Sequence, residues 1–326
     1  MVKFGIQQPS HTFPQKLPAG QQPAQGHAIF QNIQRIAQEA ERVGFDSFWI
    51  MDHFIQIPVV GDAQEPILEP WTLLSALAAS TSRIRLGTMV TGTPYRNPAL
   101  LAKMGATVDV VSNGRLFMGI GAGWYEREFN AYGWTFPPRG ERMKRLEEAL
   151  QVITKMWTEE APSFQGRYHT VKDAICEPRP VQRPRPPILI GGGGEQVTLR
   201  LVARHAEASN VFGGPMQVRQ KFQALARHCE AIGRDPATVL KTRLGQMLIA
   251  RNEAELTRKL SRYFPGGLRD DDAAWRVVAG TPAQCIDRCQ ELMAAGVDYL
   301  IFSFPDAETL EPLHLFAEEV APALKG

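Results

Sequence analysis

The sequence of 326 residues is poor in cysteine, in long apolar runs and in net charge. Its four cysteines, Cys176, Cys229, Cys285 and Cys289, show no Cys-x-x-Cys spacing, which excludes a disulfide framework and predicts buried core thiols. No apolar run reaches the roughly 18 residues of a membrane-spanning helix. With 36 Lys and Arg against 34 Asp and Glu, the net charge of +2 gives no indication of nucleic acid or a membrane as partner.

Composition and the first residues favour an ordinary globular protein. An apolar fraction of 44% with 21% charged residues excludes a disordered chain. Met1–Ile6 resembles a strand and has no charged leader before an apolar core, so we expect no signal peptide. A cytoplasmic protein that acts on a small molecule is therefore predicted.

Short apolar segments alternate with longer amphipathic ones along the chain, which indicates an α/β protein. Most short segments are apolar throughout, as is typical of parallel strands covered by helices. Eight such segments with helices between them fit a (β/α)8 barrel and also a doubly wound sheet. One domain over residues 1–326 is the simpler interpretation. The predicted strands are Val2–Gln7, Ser47–Met51, Ile84–Val90, Leu116–Gly121, Ile188–Ile190, Ser209–Phe212, Leu244–Ala250 and Tyr299–Phe304.

Three insertions interrupt this alternation, at Phe54–Glu69, Phe164–Pro187 and Phe264–Gly280. The second is rich in proline, and its Arg167–Val171 segment is predicted to form one arm of a hairpin. Irregular segments of this length in a compact domain are usually functional lids or disordered tips. In a barrel, the first two would lie on the face where active sites are built.

Asp52 and His53 follow the apolar segment that ends at Met51. The carboxyl ends of barrel strands present catalytic groups, so this pair is a candidate catalytic site. A histidine there exchanges protons near neutral pH or donates a hydrogen bond to a growing anion. No His-x-His or His-Glu-x-x-His spacing supplies further ligands, and no metal site is predicted.

Four consecutive glycines, Gly191, Gly192, Gly193 and Gly194, follow the strand segment Ile188–Ile190 and precede a helical pattern. A strand, a glycine loop and a helix start in this order let backbone N–H groups approach a phosphate. The segment is neither a Walker loop nor a dinucleotide-binding fingerprint. A tight turn needs fewer glycines, so phosphate binding is the preferred interpretation.

Glycines also alternate at the end of the fourth strand, at Gly119, Gly121 and Gly123. Their spacing removes side chains from one face of the strand end, which suits a flat ring lying against the backbone. Glu126 and Glu128 lie just beyond, and either is a candidate to point inward.

The segment Tyr95-Arg96-Asn97-Pro98 opens a helix. Asn97 is predicted to cap it and Pro98 to lie in its first turn. The segment is therefore interpreted as structural.

In their order and spacing, these motifs resemble the bacterial luciferase-like monooxygenase superfamily. Within it they are most similar to the oxidoreductases that use the deazaflavin coenzyme F420. The resemblance covers nearly the whole chain. The segments that carry it are Phe4–Gln7, Gly44–His53, Arg83–Thr88, Tyr95–Ala102, Gly119–Trp124, Arg142–Ala149 and Pro187–Gly194.

The resemblance implies a (β/α)8 TIM barrel with insertions, assembled as a homodimer, with a flavin-type ring at the carboxyl ends of the strands. It implies a cis peptide bond between Met89 and Val90 behind the ring. His53 would lie near the reactive face of the ring, and Asp52 would orient the imidazole or contact the ring edge. The implied backbone contacts to the cofactor are at Gly121, Ala122, Gly123, Gly191, Gly192, Gly193 and Gly194.

One position departs from the pattern of the superfamily. Its sugar-phosphate dehydrogenases carry a glutamate after the third glycine, where this chain has Trp124. Phosphorylated sugars are therefore less expected as substrates. Trp124 is predicted to form an apolar wall of the substrate pocket together with Ile55 and Ile57.

The predicted function is hydride transfer between coenzyme F420 and a small organic substrate. An FMN-dependent monooxygenase that uses reduced flavin and oxygen is the nearest alternative, because both classes use this barrel. A non-catalytic flavin-binding protein and a metal-dependent aldolase or hydrolase barrel are the remaining ones.

Overall fold

A computed structural model describes residues 2–8, 22–58, 60–268 and 275–325. Its strands are β1 Lys3–Gln8, β2 Ser47–Ile50, β3 Arg85–Thr88, β4 Thr91–Gly92, β5 Leu116–Gly121, β6 Phe164–Gln165, β7 Thr170–Val171, β8 Ile188–Gly191, β9 Ala208–Val211, β10 Leu240–Ile249, β11 Val277–Gly280 and β12 Tyr299–Ser303. Its helices are α1 Gln22–Val43, α2 Pro70–Ser80, α3 Pro98–Val111, α4 Glu126–Ala131, α5 Arg139–Thr158, α6 Thr198–His205, α7 Pro215–Glu230, α8 Glu253–Tyr263, α9 Pro282–Ala294, α10 Glu311–Leu315 and α11 Ala321–Lys325. A π-helical turn at Phe316–Val320 joins the last two helices.

Eight parallel strands close into a barrel. They pair in the order β1, β2, β3, β5, β8, β9, β10 and β12, and β12 returns to pair with β1, with Leu300 opposite Phe4. The (β/α)8 prediction is confirmed, and the closed sheet rules out the doubly wound alternative. Each of the eight predicted strand segments overlaps one barrel strand.

Most predicted strand bounds lie within two residues of the observed ones, but one strand start and one additional strand differ more. β10 begins at Leu240 and not at Leu244, because its first half pairs with β9 although Lys241 and Arg243 interrupt the apolar pattern there. β11 lies at the end of the predicted insertion Phe264–Gly280 and pairs with the second half of β10. A run of four residues, Val277–Gly280, is too short to give a distinct apolar period.

The barrel interior is packed with side chains and is not a pore. Trp49, Phe117, Leu189, Tyr299 and Ile301 form a buried cluster inside it. Burying each such side chain contributes about 1.5–3 kcal/mol to stability. Because the interior is filled, a ligand can approach the barrel strands only from two rims: the carboxyl-end rim, where the strands end, and the amino-end rim, where they begin.

The insertions follow the predictions in part. β6 and β7 pair as an antiparallel hairpin within Phe164–Pro187, but of the predicted arm Arg167–Val171 only Thr170–Val171 is strand. This insertion connects the end of α5 to the start of β8, so it lies at the amino-end rim and not, as predicted, on the face where active sites are built. The acidic run Asp270–Asp272 lies outside the described residues. No helix within the described ranges is long and apolar enough to cross a membrane.

All four cysteines are buried and free, as predicted. Burial raises the pKa of the Cys285 thiol to about 12. These thiols therefore pack as small apolar groups.

Candidate active site

Asp52 and His53 lie at the carboxyl-end rim, two and three residues after β2 ends at Ile50. Their exposed fractions are only 1% and 8%. Because all barrel strands are parallel, Met89–Val90, Gly121–Gly123 and Gly191–Gly194 follow their strands on the same rim. The fold thus brings the predicted site segments to one face of the barrel.

The peptide bond between Met89 and Val90 is cis, at the position that the family resemblance implied. It follows directly on β3, whose last residue, Thr88, donates its hydroxyl to the carbonyl of Gly119 at 2.7 Å. A Cβ built on Gly121 or on Gly191 would lie 2.9 Å from the methyl groups of Val90. The glycines therefore make room for Val90, and this side chain forms part of the surface expected to face a flat ring.

The imidazole of His53 is held by Glu128. Nδ1 of His53 lies 3.0 Å from Glu128 Oε2, which also accepts the Tyr95 hydroxyl at 2.5 Å. The other oxygen, Oε1, accepts the backbone N–H groups of Phe54 at 2.5 Å and Ile55 at 3.2 Å. This fully buried carboxylate therefore joins α4, the β2 loop and the segment before α3.

The state of the Glu128 carboxyl follows from these contacts. Burial opposes its ionisation, but the hydrogen bonds from His53, Tyr95 and the backbone outweigh burial and lower its pKa. An ionised carboxylate only accepts hydrogen bonds, so Nδ1 of His53 carries a proton. The remaining ring nitrogen, Nε2, is then the atom available for proton exchange with a ligand.

Asp52 pairs with Arg96 and not with His53. The guanidinium donates two hydrogen bonds to the carboxylate, at 2.6 and 3.0 Å, and a third to Glu69 Oε1 at 2.5 Å. Burial raises the pKa of Asp52, and the charge of Arg96 opposes that rise. The prediction that Asp52 orients the imidazole of His53 is therefore wrong, because Glu128 does so. Contact of Asp52 with the edge of a cofactor ring stays a prediction.

Trp124 presents an exposed indole beside the buried imidazole. Its ring centroid lies 5.7 Å from that of His53 in an edge-to-face arrangement and 5.2 Å from that of Tyr125. The side chain is 55% exposed. Gly123, which precedes Trp124, forms a turn with φ +73°, a backbone conformation that favours glycine. Ile55 lies half-buried on the adjacent loop, as does Ile57.

The tetraglycine segment ends β8 and bends onto the start of α6. Gly192 has φ +123°, and a Cβ on Gly194 would lie 2.9 Å from Thr198 Oγ1. A cavity of about 550 Å³ opens between α5 and α6 beside this bend. Its charged lining consists of Arg139, Lys144 and Arg200 with Glu147 and Glu195. The excess of one cation and the backbone of Gly194, which carries no side chain, fit an anionic group.

Sequence reasoning missed Tyr95 and Arg96 as site residues and left Glu126 and Glu128 unresolved. Asn97 caps α3 through the backbone N–H groups of Ala99 and Leu100, with Pro98 at its start, as predicted. The two residues before this cap reach the site instead. Glu126 is exposed, and Glu128 is buried next to the buried Phe129. The apolar neighbour was the one local signal that favoured Glu128.

Comparison with known proteins gives the family. The model of the luciferase-like monooxygenase family matches residues 11–299, so the chain belongs to this family, as the resemblance predicted. It is 30% identical to an F420-dependent glucose-6-phosphate dehydrogenase of Kineococcus radiotolerans, over 89% of this chain and 91% of the relative.

Solved structures share the fold at lower identity. The coenzyme F420 dependent tetrahydromethanopterin reductase of Methanopyrus kandleri superposes with a TM-score of 0.80 at 21% identity, covering 98% of this chain and 99% of the other. The oxygenating constituent of 3,6-diketocamphane monooxygenase of Pseudomonas putida, in complex with FMN, superposes at 0.79 with 20% identity and 98% coverage of both chains. The same barrel therefore occurs in F420- and FMN-associated proteins.

Proposed function

We propose that this protein is an oxidoreductase that transfers a hydride between coenzyme F420 and a small organic substrate. The observation that carries the proposal is the buried His53, whose Nδ1 is fixed by Glu128 while Nε2 stays available at the carboxyl-end rim. The relative from Kineococcus radiotolerans, named as an F420-dependent dehydrogenase, supports the choice of cofactor.

The residues at this rim fit such a cofactor in two places. Val90, seated over Gly121 and Gly191, offers a surface for the ring, and the backbone of Gly121, Ala122 and Gly123 adjoins it. The bend Gly191–Gly194 with Arg139 and Arg200 would hold the phosphate-bearing tail, because open backbone and cations favour an anion.

The bound deazaflavin supplies the two-electron chemistry. Nε2 of His53 would donate or accept the proton that accompanies hydride transfer. Glu128 keeps the imidazole in one orientation and stabilises the positive charge that the imidazole gains on protonation. Trp124 and Tyr125 flank the imidazole and reduce its contact with water.

The substrate is proposed to be neutral with an apolar body. The ionisable groups nearest to His53 are engaged with one another: Glu128 with His53, and Arg96 with Asp52 and Glu69. Arg96, the cation of this network, is therefore held by two carboxylates and is not free to bind a substrate phosphate. Exposed Trp124, with Ile55 and Ile57, supplies apolar surface instead.

An FMN-dependent monooxygenase is the second candidate, supported by the FMN-bound structural neighbour. Parallel titrations of the purified protein with F420 and with reduced FMN distinguish the two. Saturable binding of F420 is expected. Tight binding of reduced FMN together with no binding of F420 would overturn the proposal.

Two further measurements address the remaining alternatives. If His53→Ala abolishes turnover and retains cofactor affinity, the protein is an enzyme and not a flavin store. Stoichiometric zinc in the purified protein would favour a metal-dependent barrel.

We also propose one functional unit over residues 1–326, a homodimer and a cytoplasmic location. Light scattering after size-exclusion chromatography measures the oligomeric state.

A further inference from the structure

The amino-end rim of the barrel, opposite to His53, holds a second charged cavity of about 460 Å³. It lies where the barrel strands begin, and Phe117 and Tyr299 contribute to its lining. Its charged lining consists of three cations, Lys3, Arg83 and Arg85, and three acids, Glu41, Asp46 and Glu207. Equal numbers of lining charges do not make this region neutral, because one of the acids, Glu207, is already paired with Arg185, a cation outside the lining.

Each of the three acids binds hydrogen-bond donors of the fold. Glu41 accepts the backbone N–H groups of Ser82, Arg83 and Ile84, at 2.6–3.3 Å, and although burial opposes ionisation, these donors hold its pKa at about 2. Asp46 accepts the N–H of Phe4 at 2.8 Å. Glu207 binds Arg185 through both oxygens, at 2.9 and 3.0 Å.

None of the three cations is paired with an acidic side chain of the described residues. Lys3 and Arg83 are exposed and form no ion pair with any described residue. Arg85 is half-buried: it donates to the amide oxygen of Gln182 at 2.6 Å, and its guanidinium carbon lies 5.4 Å from the centre of the Phe117 ring. Its Nε is buried and has no hydrogen-bond partner among the described residues. A buried N–H without an acceptor is costly, so the fold does not fully satisfy this guanidinium.

We propose that this cavity binds a small multivalent oxyanion, with Arg85 as the inner contact and Lys3 and Arg83 at the entrance. Such a ligand would pair with the guanidinium of Arg85 and balance the one cation in excess of the acids. The site is separate from the glycine bend, because the two cavities lie at opposite rims of the barrel. The proposal stands independently of the cofactor assignment.

Calorimetric titration of the full chain with pyrophosphate tests this proposal, at ionic strength held constant with sodium chloride so that general screening does not change. Arg85→Gln is expected to weaken binding at least tenfold and Arg83→Gln about threefold. Arg83 is exposed, so its substitution leaves folding intact and reports on the site even if Arg85→Gln destabilises the chain. Citrate in place of pyrophosphate distinguishes a phosphate site from a carboxylate site.

Two control variants separate this site from other cations. Arg200→Gln removes a cation of the cavity beside the glycine bend, and Lys172→Gln removes an exposed cation outside both cavities; neither is expected to change the affinity that depends on Arg83. Binding that Arg200→Gln weakens while Arg83→Gln and Arg85→Gln leave it unchanged would overturn the proposal. So would the lack of saturable binding of both anions by the wild-type chain.

Discussion

The two rims of this barrel manage their charges in opposite ways. At the carboxyl-end rim, Asp52, Arg96 and Glu69 form one buried network, and His53 with Glu128 forms a second. At the amino-end rim, acids bind backbone N–H groups and Arg185, and Lys3, Arg83 and Arg85 have no acidic partner among the described residues. The same closed sheet thus carries one rim whose site charges are paired and one where three cavity cations are not.

This difference separates two ways in which a fold prepares a ligand site. Pairing at the carboxyl-end rim fixes side-chain geometry and leaves a single ring nitrogen and an apolar indole for the ligand, which suits chemistry at a defined atom. Unpaired cations attract an anion from a distance but orient it weakly, since exposed charges are screened.

The largest effect is expected from His53→Ala at the carboxyl-end rim. Loss of a positioned proton donor or acceptor typically costs about 10²–10⁴-fold in rate. We expect turnover with F420 to fall by that range and cofactor affinity to change by less than about threefold, measured by rapid mixing and by titration. His27→Ala, at an exposed position of α1, serves as the control. Equal turnover in the two variants would contradict the role of His53.

Glu128→Ala is expected to give the largest change in stability. The substitution leaves the Tyr95 hydroxyl, two backbone N–H groups and His53 without their buried acceptor. Removing one partner of a buried charged pair costs about 3–5 kcal/mol in the free energy of unfolding. Urea unfolding measures this change. Glu126→Ala, exposed on the same helix, is expected to change stability by less than about 0.5 kcal/mol.

Substitution of cations beside the glycine bend should have a moderate effect on cofactor affinity. Arg139→Gln and Arg200→Gln each remove one exposed charge from the cavity. Because exposed charges are screened, we expect about three- to tenfold weaker binding of F420 at low salt and a smaller loss at high salt. Lys172→Gln is the matched control. Unchanged affinity at low salt in both cavity variants would place the cofactor tail elsewhere.

The smallest effect concerns Glu41 at the amino-end rim. Its pKa of about 2 in the folded chain lies below the ordinary value of 4.5. A lowered folded pKa contributes stability that is complete above the unfolded pKa and is lost as pH falls from about 4.5 towards 2. Urea unfolding at about pH 5 and about pH 3 should therefore show a smaller loss of stability for Glu41→Gln than for the wild-type chain. Parallel losses in the two would contradict this assignment.

The sequence allowed prediction of the strands more fully than of the site contacts. Apolar runs are local patterns, so all eight barrel strands were found, and β10 was shortened only where Lys241 and Arg243 interrupt its run. The cis conformation of the peptide bond between Met89 and Val90 was predicted from the family resemblance and not from a local sequence pattern. The ion pairs joining His53 to Glu128 and Asp52 to Arg96 span 75 and 44 positions in the chain, and no periodicity reports such partners.

Glu69 serves two structures with one carboxylate: Oε2 caps the first turn of α2 at the Thr72 N–H, at 2.7 Å, and Oε1 holds Arg96. An outer helix and the guanidinium that neutralises Asp52 are therefore anchored to a common point. A change that shifts the start of α2 would therefore move the carboxylate that helps to position Arg96, and with it the electrostatic potential around Asp52. A single side chain thus couples the packing of an outer helix to a buried ion pair at the carboxyl-end rim.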